Sequence, residues 1–279
     1  MKMTWDTRNA RVDTDAELVF LADCETGGHT HISAKKRFLQ FLRAMRSMHA
    51  MPKKVLDVGG NKGTGRWFSA TLPSSTVTIL NASPKELHGY KPFLKGDASD
   101  FKTKDKFDLI ILGELLEHVY NPDGVIASAS RALAPGGYVY ITTPNLACIY
   151  NRVFLAFGLS LMNYFPSIRY RAGNRFLEDT NGVFGIVPDH KSVFTYGALR
   201  EVIGHYGLSV VYADGYDYGR KEPFRTVGDR YYKIPASGFR SRLNDMLPVG
   251  LREGITLLCK KTGECKPGEG ILTHSVWDL

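Results

Sequence analysis

Cysteine is scarce in this chain and never closely paired. Four occur in 279 residues, at Cys24, Cys148, Cys259 and Cys265. None forms a CxxC pair, and the spacing suits neither a zinc site nor a disulfide framework. They read as reduced thiols, so the expected location is cytoplasmic. Long apolar runs are also missing. The longest stretch, 153–162, is too short to span a bilayer. The opening Met1-Lys2-Met3-Thr4-Trp5-Asp6 has no apolar h-region, so no secretory signal is expected. No run of five basic residues appears, which argues against a basic nucleic-acid arm. Internal repeats and low-complexity tracts are absent, which excludes a repeat array.

What remains has the composition of a soluble globular protein, with 43% hydrophobic and 23% charged residues. The length permits one large α/β core or two small ones. Net charge is +8. A basic balance favours anionic partners such as phosphorylated substrates, nucleic acid or an acidic membrane surface, and it serves solubility equally well.

The most informative segment is Val55-Leu56-Asp57-Val58-Gly59-Gly60-Asn61-Lys62-Gly63-Thr64-Gly65. An apolar run ends in Asp57, turns through glycines and enters a helix expected over 63–72. Glycine lets the backbone turn sharply and lets a ligand approach closely, and the helix N-terminus is expected to present free N–H groups. Such a strand–loop–helix unit suits a nucleotide-like ligand.

The following residues continue the pattern. Strands are expected over 54–58, 76–80, 92–95, 107–112 and 138–142. A helix over 122–133 turns Val125, Ile126, Ala129 and Leu133 inward. Pro135-Gly136-Gly137 is a turn. Strands alternating with helices imply a parallel sheet with right-handed crossovers. Ahead of this core, a helix over 33–48 places Phe38, Leu39, Leu42, Met45 and Met48 on one face, as a cap over the core entrance. After Pro144-Asn145 the rhythm breaks. It resumes with a helix over 196–206 and strands over 208–212 and 254–260. The expected division of one domain is a helical cap (1–51), a core (52–145), a lid (146–188) and a C-terminal part (189–279) with an insertion over 214–253. Long insertions in a regular fold are usually functional or mobile.

The core resembles the class I S-adenosylmethionine-dependent methyltransferases, in order over 52–145 and more loosely over 186–213 and 254–261. Asp57-Val58-Gly59-Gly60-Asn61-Lys62-Gly63 resembles the D-x-G-x-G-x-G motif. Lys95-Gly96-Asp97-Ala98 resembles the segment whose Asp meets the adenine amino group. The run 107–119, FDLIILGELLEHV, resembles the fourth motif, and Leu133-Ala134-Pro135-Gly136-Gly137 with its following strand resembles the fifth. The resemblance implies a Rossmann-like α/β fold: a seven-stranded, mostly parallel sheet with helices on both faces and an antiparallel last strand. It implies S-adenosyl-L-methionine as cofactor, held by Asp57, Gly59, Gly60, Asn61, Gly63, Asn81, Asp97, Ala98, Gly113 and Glu114.

Two residues depart from the family pattern. Asn61 replaces the middle glycine, a substitution compatible with a left-handed turn. Asn81 ends the second strand where the family has Asp or Glu to accept both ribose hydroxyls. One neutral acceptor there predicts weaker cofactor binding, since charge-assisted bonds are roughly twice as strong as neutral ones.

Glu114-Leu115-Leu116-Glu117-His118 admits two readings. Glu117 and His118 can simply tie a helix start to neighbouring backbone. Alternatively Glu114, Glu117 and His118 share one face of a helical turn and, with His190, hold Mg²⁺ or Mn²⁺. The second pattern resembles ubiquinone-pathway O-methyltransferases and small-RNA 3′-end 2′-O-methyltransferases. Without a metal, His190 is the expected general base, and Glu114 is a second catalytic candidate. In the lid, 153–165 is apolar nearly all round, so it is either buried or in contact with a lipid or hydrophobic acceptor. Arg152, Arg169, Arg171 and Arg175 are anion ligands or solvated charges. Tyr216, Tyr218, Arg220, Arg225, Arg230, Tyr231 and Tyr232 permit stacking on bases or sugars. The expected function is therefore O-methylation of a small-molecule or glycan/lipid-linked acceptor, with peripheral membrane contact. The alternatives are RNA 2′-O-methylation and a catalytically silent binding protein.

Overall fold

Along β1 (Lys54–Val58), alternate side chains enter two different apolar cores. Leu56 and Val58 face one side of the sheet and Val55 the other. β4 (Phe107–Gly113) divides in the same way, with Ile110 and Leu112 on one side and Leu109 and Ile111 on the other. A strand covered on both faces needs apolar residues at every position, which is why this run does not alternate with polar ones. The architecture is that of a computed structural model, which describes residues 32–48, 50–162, 164, 173, 190–216, 225–227, 230–232 and 244–264.

The remaining strands of the main sheet are β2 (Thr76–Asn81), β3 (Phe93–Lys95), β5 (Leu133–Pro144), β6 (Leu208–Tyr216) and β9 (Gly254–Lys261). The seven strands run in the order β3-β2-β1-β4-β5-β9-β6. β9 is antiparallel to both neighbours, and the other pairings are parallel. The expected fold class is therefore present. Two short strands, β7 (Arg225–Val227) and β8 (Arg230–Tyr232), form a separate antiparallel ribbon inside the second expected insertion. That insertion starts later than its expected bound, because β6 continues to Tyr216. The Pro135-Gly136-Gly137 turn loops out within β5. Leu133 pairs with Phe107 and Tyr138 with Leu109, so the register shifts across it.

One face of the sheet carries α3 (Pro122–Ala132) and α5 (Tyr196–His205). Val125, Ile126, Ala129 and Leu133 are all buried there, as their spacing implies. The other face carries α1 (Ile32–Met45) and α2 (Lys62–Thr71). Of the expected apolar stripe here, Met45 is buried and Leu42 and Met48 pack against the same core, while the side chains of Phe38 and Leu39 lie outside the described ones. Phe41 and Ala44 are buried with Met45, while Leu42 and Met48 are only partly so. Phe41 packs edge-on against Trp67 and Tyr140, with ring centroids 5.5 and 5.1 Å away. α1 is thus a covering helix seated on the sheet face, with Arg37 reaching Glu114 at the end of β4. Its aromatic contacts reach two other elements, α2 and β5.

In the lid region, α4 (Ile149–Ala156) is short and stops before Gly158, whose φ is +67°. The long apolar helix expected over 153–165 does not form as one element. Val153, Leu155 and Phe157 are exposed. Asp189, Arg169, Arg171, Arg175, Tyr218 and Arg220 lie outside the described residues, as do Cys24 and Cys265. Cys148 and Cys259 are buried and form no disulfide. No helix among the described residues is long and apolar enough to cross a membrane.

Candidate active site

Strand order locates the site before any motif does. β1 passes to β2 on one side, while β4 lies on its other side and passes to β5. At such a reversal the connecting helices leave to opposite faces and a crevice opens at the carboxyl ends of the strands. Here that position falls between the Gly59–Asn61 loop and Gly113–Glu114. Gly59 and Gly113 are exposed although the strands behind them are buried.

The loop is built to approach a ligand closely. Gly59 adopts φ +78°, and its N–H donates to Leu80 O at 2.7 Å. A Cβ on Gly59 would lie 2.9 Å from Leu115 Cδ1. Gly60 is buried, and a Cβ there would lie 1.9 Å from Asp57 Oδ2. No side chain fits at either position without displacing the structure around it.

Asn61 is not left-handed. Its φ is −125° and ψ −179°, an extended conformation open to any residue. It is the N-cap of α2. Its Oδ1 accepts from Gly63 N at 2.8 Å and Thr64 N at 3.1 Å, and Thr64 Oγ1 accepts from Asn61 N at 3.0 Å. The helix-start N–H groups of Gly63 and Thr64, expected to be free for a ligand, are therefore used by Asn61. The reason is local: an Asn three residues before a Thr forms a reciprocal cap. That spacing was readable in the sequence.

Thr64 has a second role. Its hydroxyl donates to Asp57 Oδ2 at 2.5 Å. Asp57 is buried at 4% exposure. Burial pushes its carboxyl up to about 7 from the usual 3.8, and the Thr64 hydrogen bond offsets part of that rise. Asp57 thus underpins the glycine loop from below and is about half ionised near neutrality.

On the far side, Asn81 Nδ2 donates to Gly60 O at 2.8 Å, and Asn81 Oδ1 accepts from Ser83 N at 2.8 Å. Asp97 caps a short turn, accepting from Ser99 N at 2.8 Å, and its side chain is exposed. Ala98 packs against the core beside it.

Glu114 ends β4 with φ +51°, a conformation that costs a non-glycine residue about 1–3 kcal/mol unless neighbours enforce it. Four contacts do so. Its N–H donates to Thr142 O at 2.9 Å and Thr142 Oγ1 at 3.1 Å. Its carboxylate pairs with Arg37 Nη1 at 2.8 Å and accepts a short hydrogen bond from the Tyr216 hydroxyl. Arg37 comes from α1 and Tyr216 from the end of β6. Neither stood out as a partner of Glu114 in the sequence, because nothing local links positions so far apart.

This left-handed kink separates Glu114 from the residues expected to share its face. Leu116–His118 is one 3₁₀ turn, not the start of an α-helix. The side chains of Glu117, His118 and His190 converge, with one ligand atom from each lying within 4.8 Å of the others. Glu114 is not part of that group. His190 arrives there because Lys191 N donates to Glu117 O at 2.6 Å, and the His118 and His190 rings lie 4.9 Å apart. Glu117 is 1% exposed and accepts from Thr143 Oγ1 at 3.0 Å. Burial first, and the nearby Glu114 charge second, push its carboxyl well above the usual range. A buried carboxyl beside two imidazoles can exchange protons or bind a hard divalent cation.

Comparison with known proteins bears on this arrangement. The family model described as a methyltransferase domain matches residues 29–213. The chain is similar to the ubiquinone biosynthesis O-methyltransferase of Thiobacillus denitrificans, 33% identical over 105 residues, covering 33% of this chain and 45% of that protein. The namesake from Xanthomonas oryzae pv. oryzae is 30% identical over 121 residues, covering 39% and 48%. The match therefore spans a little under half the length of these relatives. A crystal structure of a S-adenosylmethionine-dependent methyltransferase from Clostridium acetobutylicum shares the fold, with a TM-score of 0.51 and 13% identity over 90% of this chain and 99% of that one.

Proposed function

The chain belongs to the methyltransferase-domain family, and from that premise we propose that it moves a methyl group from S-adenosylmethionine to an oxygen of a small-molecule or glycan/lipid-linked acceptor. The observation that carries the reading is the crevice between the Gly59–Asn61 loop and Gly113–Glu114, at the point where strand order reverses. The residues present suit the cofactor. Gly59 and Gly60 leave backbone bare where any Cβ would collide, Asp57 offers a carboxyl beneath the loop, and Asp97 with Ala98 offers an exposed edge beyond β3. Bound S-adenosylmethionine supplies an electrophilic methyl on a sulfonium, whose leaving group is a neutral thioether.

The chain's own contribution is orientation and proton removal. Gly59, Gly60, Asp97, Ala98 and Gly113 hold the cofactor, with Asn61 acting as a cap behind them and Asn81 bonded to the Gly60 carbonyl. His190, beside Glu117 and His118, takes the acceptor hydroxyl proton. Glu114, with its carboxylate held by Arg37 and Tyr216, shapes the wall of the crevice. The relatives' names support oxygen as the acceptor atom.

A second version of the same reaction is favoured by one specific observation, the convergence of Glu117, His118 and His190. These three residues suit Mg²⁺ or Mn²⁺, with carboxylate and imidazole ligands. Such an ion supplies a positive charge that acidifies a bound hydroxyl.

Calorimetry with S-adenosylhomocysteine tests the cofactor reading. We expect binding to the wild-type chain and loss of it in Asp57→Ala and Gly59→Val, both still folded by circular dichroism. Full affinity in both variants would place the site elsewhere. Absence of heat at millimolar ligand would favour a silent protein that retains only the fold.

A further inference from the structure

The end of β2 is the one position where this chain replaces a family carboxylate by an amide, and the geometry around Asn81 explains what the amide does. Both ends of the carboxamide are engaged by backbone. Gly60 O can only accept and Ser83 N–H can only donate, so one orientation alone satisfies both contacts. Gly60 also sits tightly beside the Asp57–Thr64 pair. Its Cα faces Asp57 Oδ2 and Thr64 Oγ1 so closely that a Cβ would lie 1.9 and 2.9 Å from them. The Gly60 carbonyl is therefore held by the Asn81 amide, and its Cα leaves no room for a side chain beside the Asp57–Thr64 pair.

A carboxylate at this position cannot reproduce the brace. It has no N–H to give Gly60 O, and its negative charge would face that carbonyl's lone pairs. The loop carbonyl would lose a partner in a half-buried place, which costs more than the bond itself contributes. We propose that Asn81 is a positioning residue for the cofactor loop, acting through Gly60, and that it takes the place of a carboxylate whose role would be to accept the ribose hydroxyls. The inference rests on the cofactor reading above and deepens it. It also reverses the expectation from sequence: Asn81→Asp loosens the site instead of tightening it.

Two measurements on the full chain decide the matter. The first is calorimetry of wild type, Asn81→Asp and Asn81→Ala with S-adenosylhomocysteine and its 2′-deoxy analogue. We expect both substitutions to weaken S-adenosylhomocysteine about tenfold, as loss of one well-made hydrogen bond implies. We expect the affinity ratio between the two ligands to stay within about twofold of wild type in Asn81→Ala, since a distant brace does not select the hydroxyl. A ratio that collapses towards one, or tighter binding by Asn81→Asp, overturns the proposal. The second measurement is amide hydrogen exchange of ligand-free protein over residues 59–65. Exchange there should quicken in both variants while β4 and β5 stay protected, and unchanged loop exchange overturns the proposal. If Asn81→Asp does not fold, Asn81→Ala carries both tests. If the wild-type chain binds no S-adenosylhomocysteine, the methyltransferase reading fails, and the exchange experiment still decides the brace.

Discussion

Arg37 Nη1 lies 2.8 Å from Glu114 Oε2, and this contact ties α1 to the carboxyl end of β4 across the candidate crevice. Both side chains are about one-fifth to one-quarter exposed, at 26% and 18%. The Tyr216 hydroxyl holds the other carboxylate oxygen, so one acidic side chain joins three distant segments.

Removing the cation should leave Glu114 uncompensated beside Glu117. Arg37→Ala is expected to lower stability by about 1–2 kcal/mol, more than a fully exposed pair and less than a fully buried one. Glu114→Gln should cost less, because its amide keeps an acceptor for Tyr216. The double variant should be less destabilised than the two single losses summed. Urea unfolding of all four proteins checks this, and strict additivity would show that the pair contributes no coupling.

Asp57 predicts a specific pH dependence. Its carboxyl titrates near 7 in the folded chain and near 3.8 when unfolded. Between those values the folded state holds a proton that the unfolded state has released. Stability from this group is therefore full below about pH 4, falls as pH rises to about 7, and is flat above. Asp57→Asn keeps an acceptor for Thr64 and should remove that slope. Thermal melts from pH 4.5 to 8 compare the two, and parallel curves would contradict the raised value.

Tyr216 reaches Glu114 only because residue 254 has no side chain. A Cβ on Gly254 would lie 2.2 Å from Tyr216 Cζ, and Tyr216 is 2% exposed with no room to retreat. Gly254→Ala should cost roughly 1–3 kcal/mol through overpacking. Gly250→Ala, whose Cβ meets nothing within 4 Å, should change stability by no more than about 0.5 kcal/mol. Equal effects from the two substitutions in a denaturant titration would refute the packing argument.

The geometry also sorts the acidic residues for metal binding. If Mn²⁺ binds, His118→Ala and His190→Ala should abolish it, and Glu114→Gln should leave it within about threefold, since Glu114 lies outside the converging group. Paramagnetic resonance of added Mn²⁺ reads this out. Equal losses in Glu114→Gln would restore that residue to the ligand set.

The order of elements was legible because it is a local property. Apolar runs of β1 and β4, the Pro122 start of α3 and the Gly-rich turn each announce themselves within a few residues. The two-sided burial of the parallel strands follows from their unbroken hydrophobicity. The apolar face of α1 was legible only in part: Leu42, Met45 and Met48 pack on the core as their spacing implies, but Phe41 is selected by Trp67, Phe68 and Tyr140 on other elements. The same limit applied at the site. Glycines and carboxyls at strand ends could be located by position, but the direction of each side chain could not.

Sequence alone determined that this chain builds a doubly covered parallel sheet with a glycine loop at its ligand edge, since hydrophobic period and turn chemistry act over short range. Tertiary structure decided which groups meet there. It directed Asn61 into a helix cap, turned Asn81 towards Gly60, separated Glu114 from Glu117, brought Arg37 and Tyr216 to Glu114, and set His190 beside Glu117 and His118. Those choices depend on backbone dihedrals and on contacts between residues far apart in the chain, and no pattern of neighbouring residues encodes either.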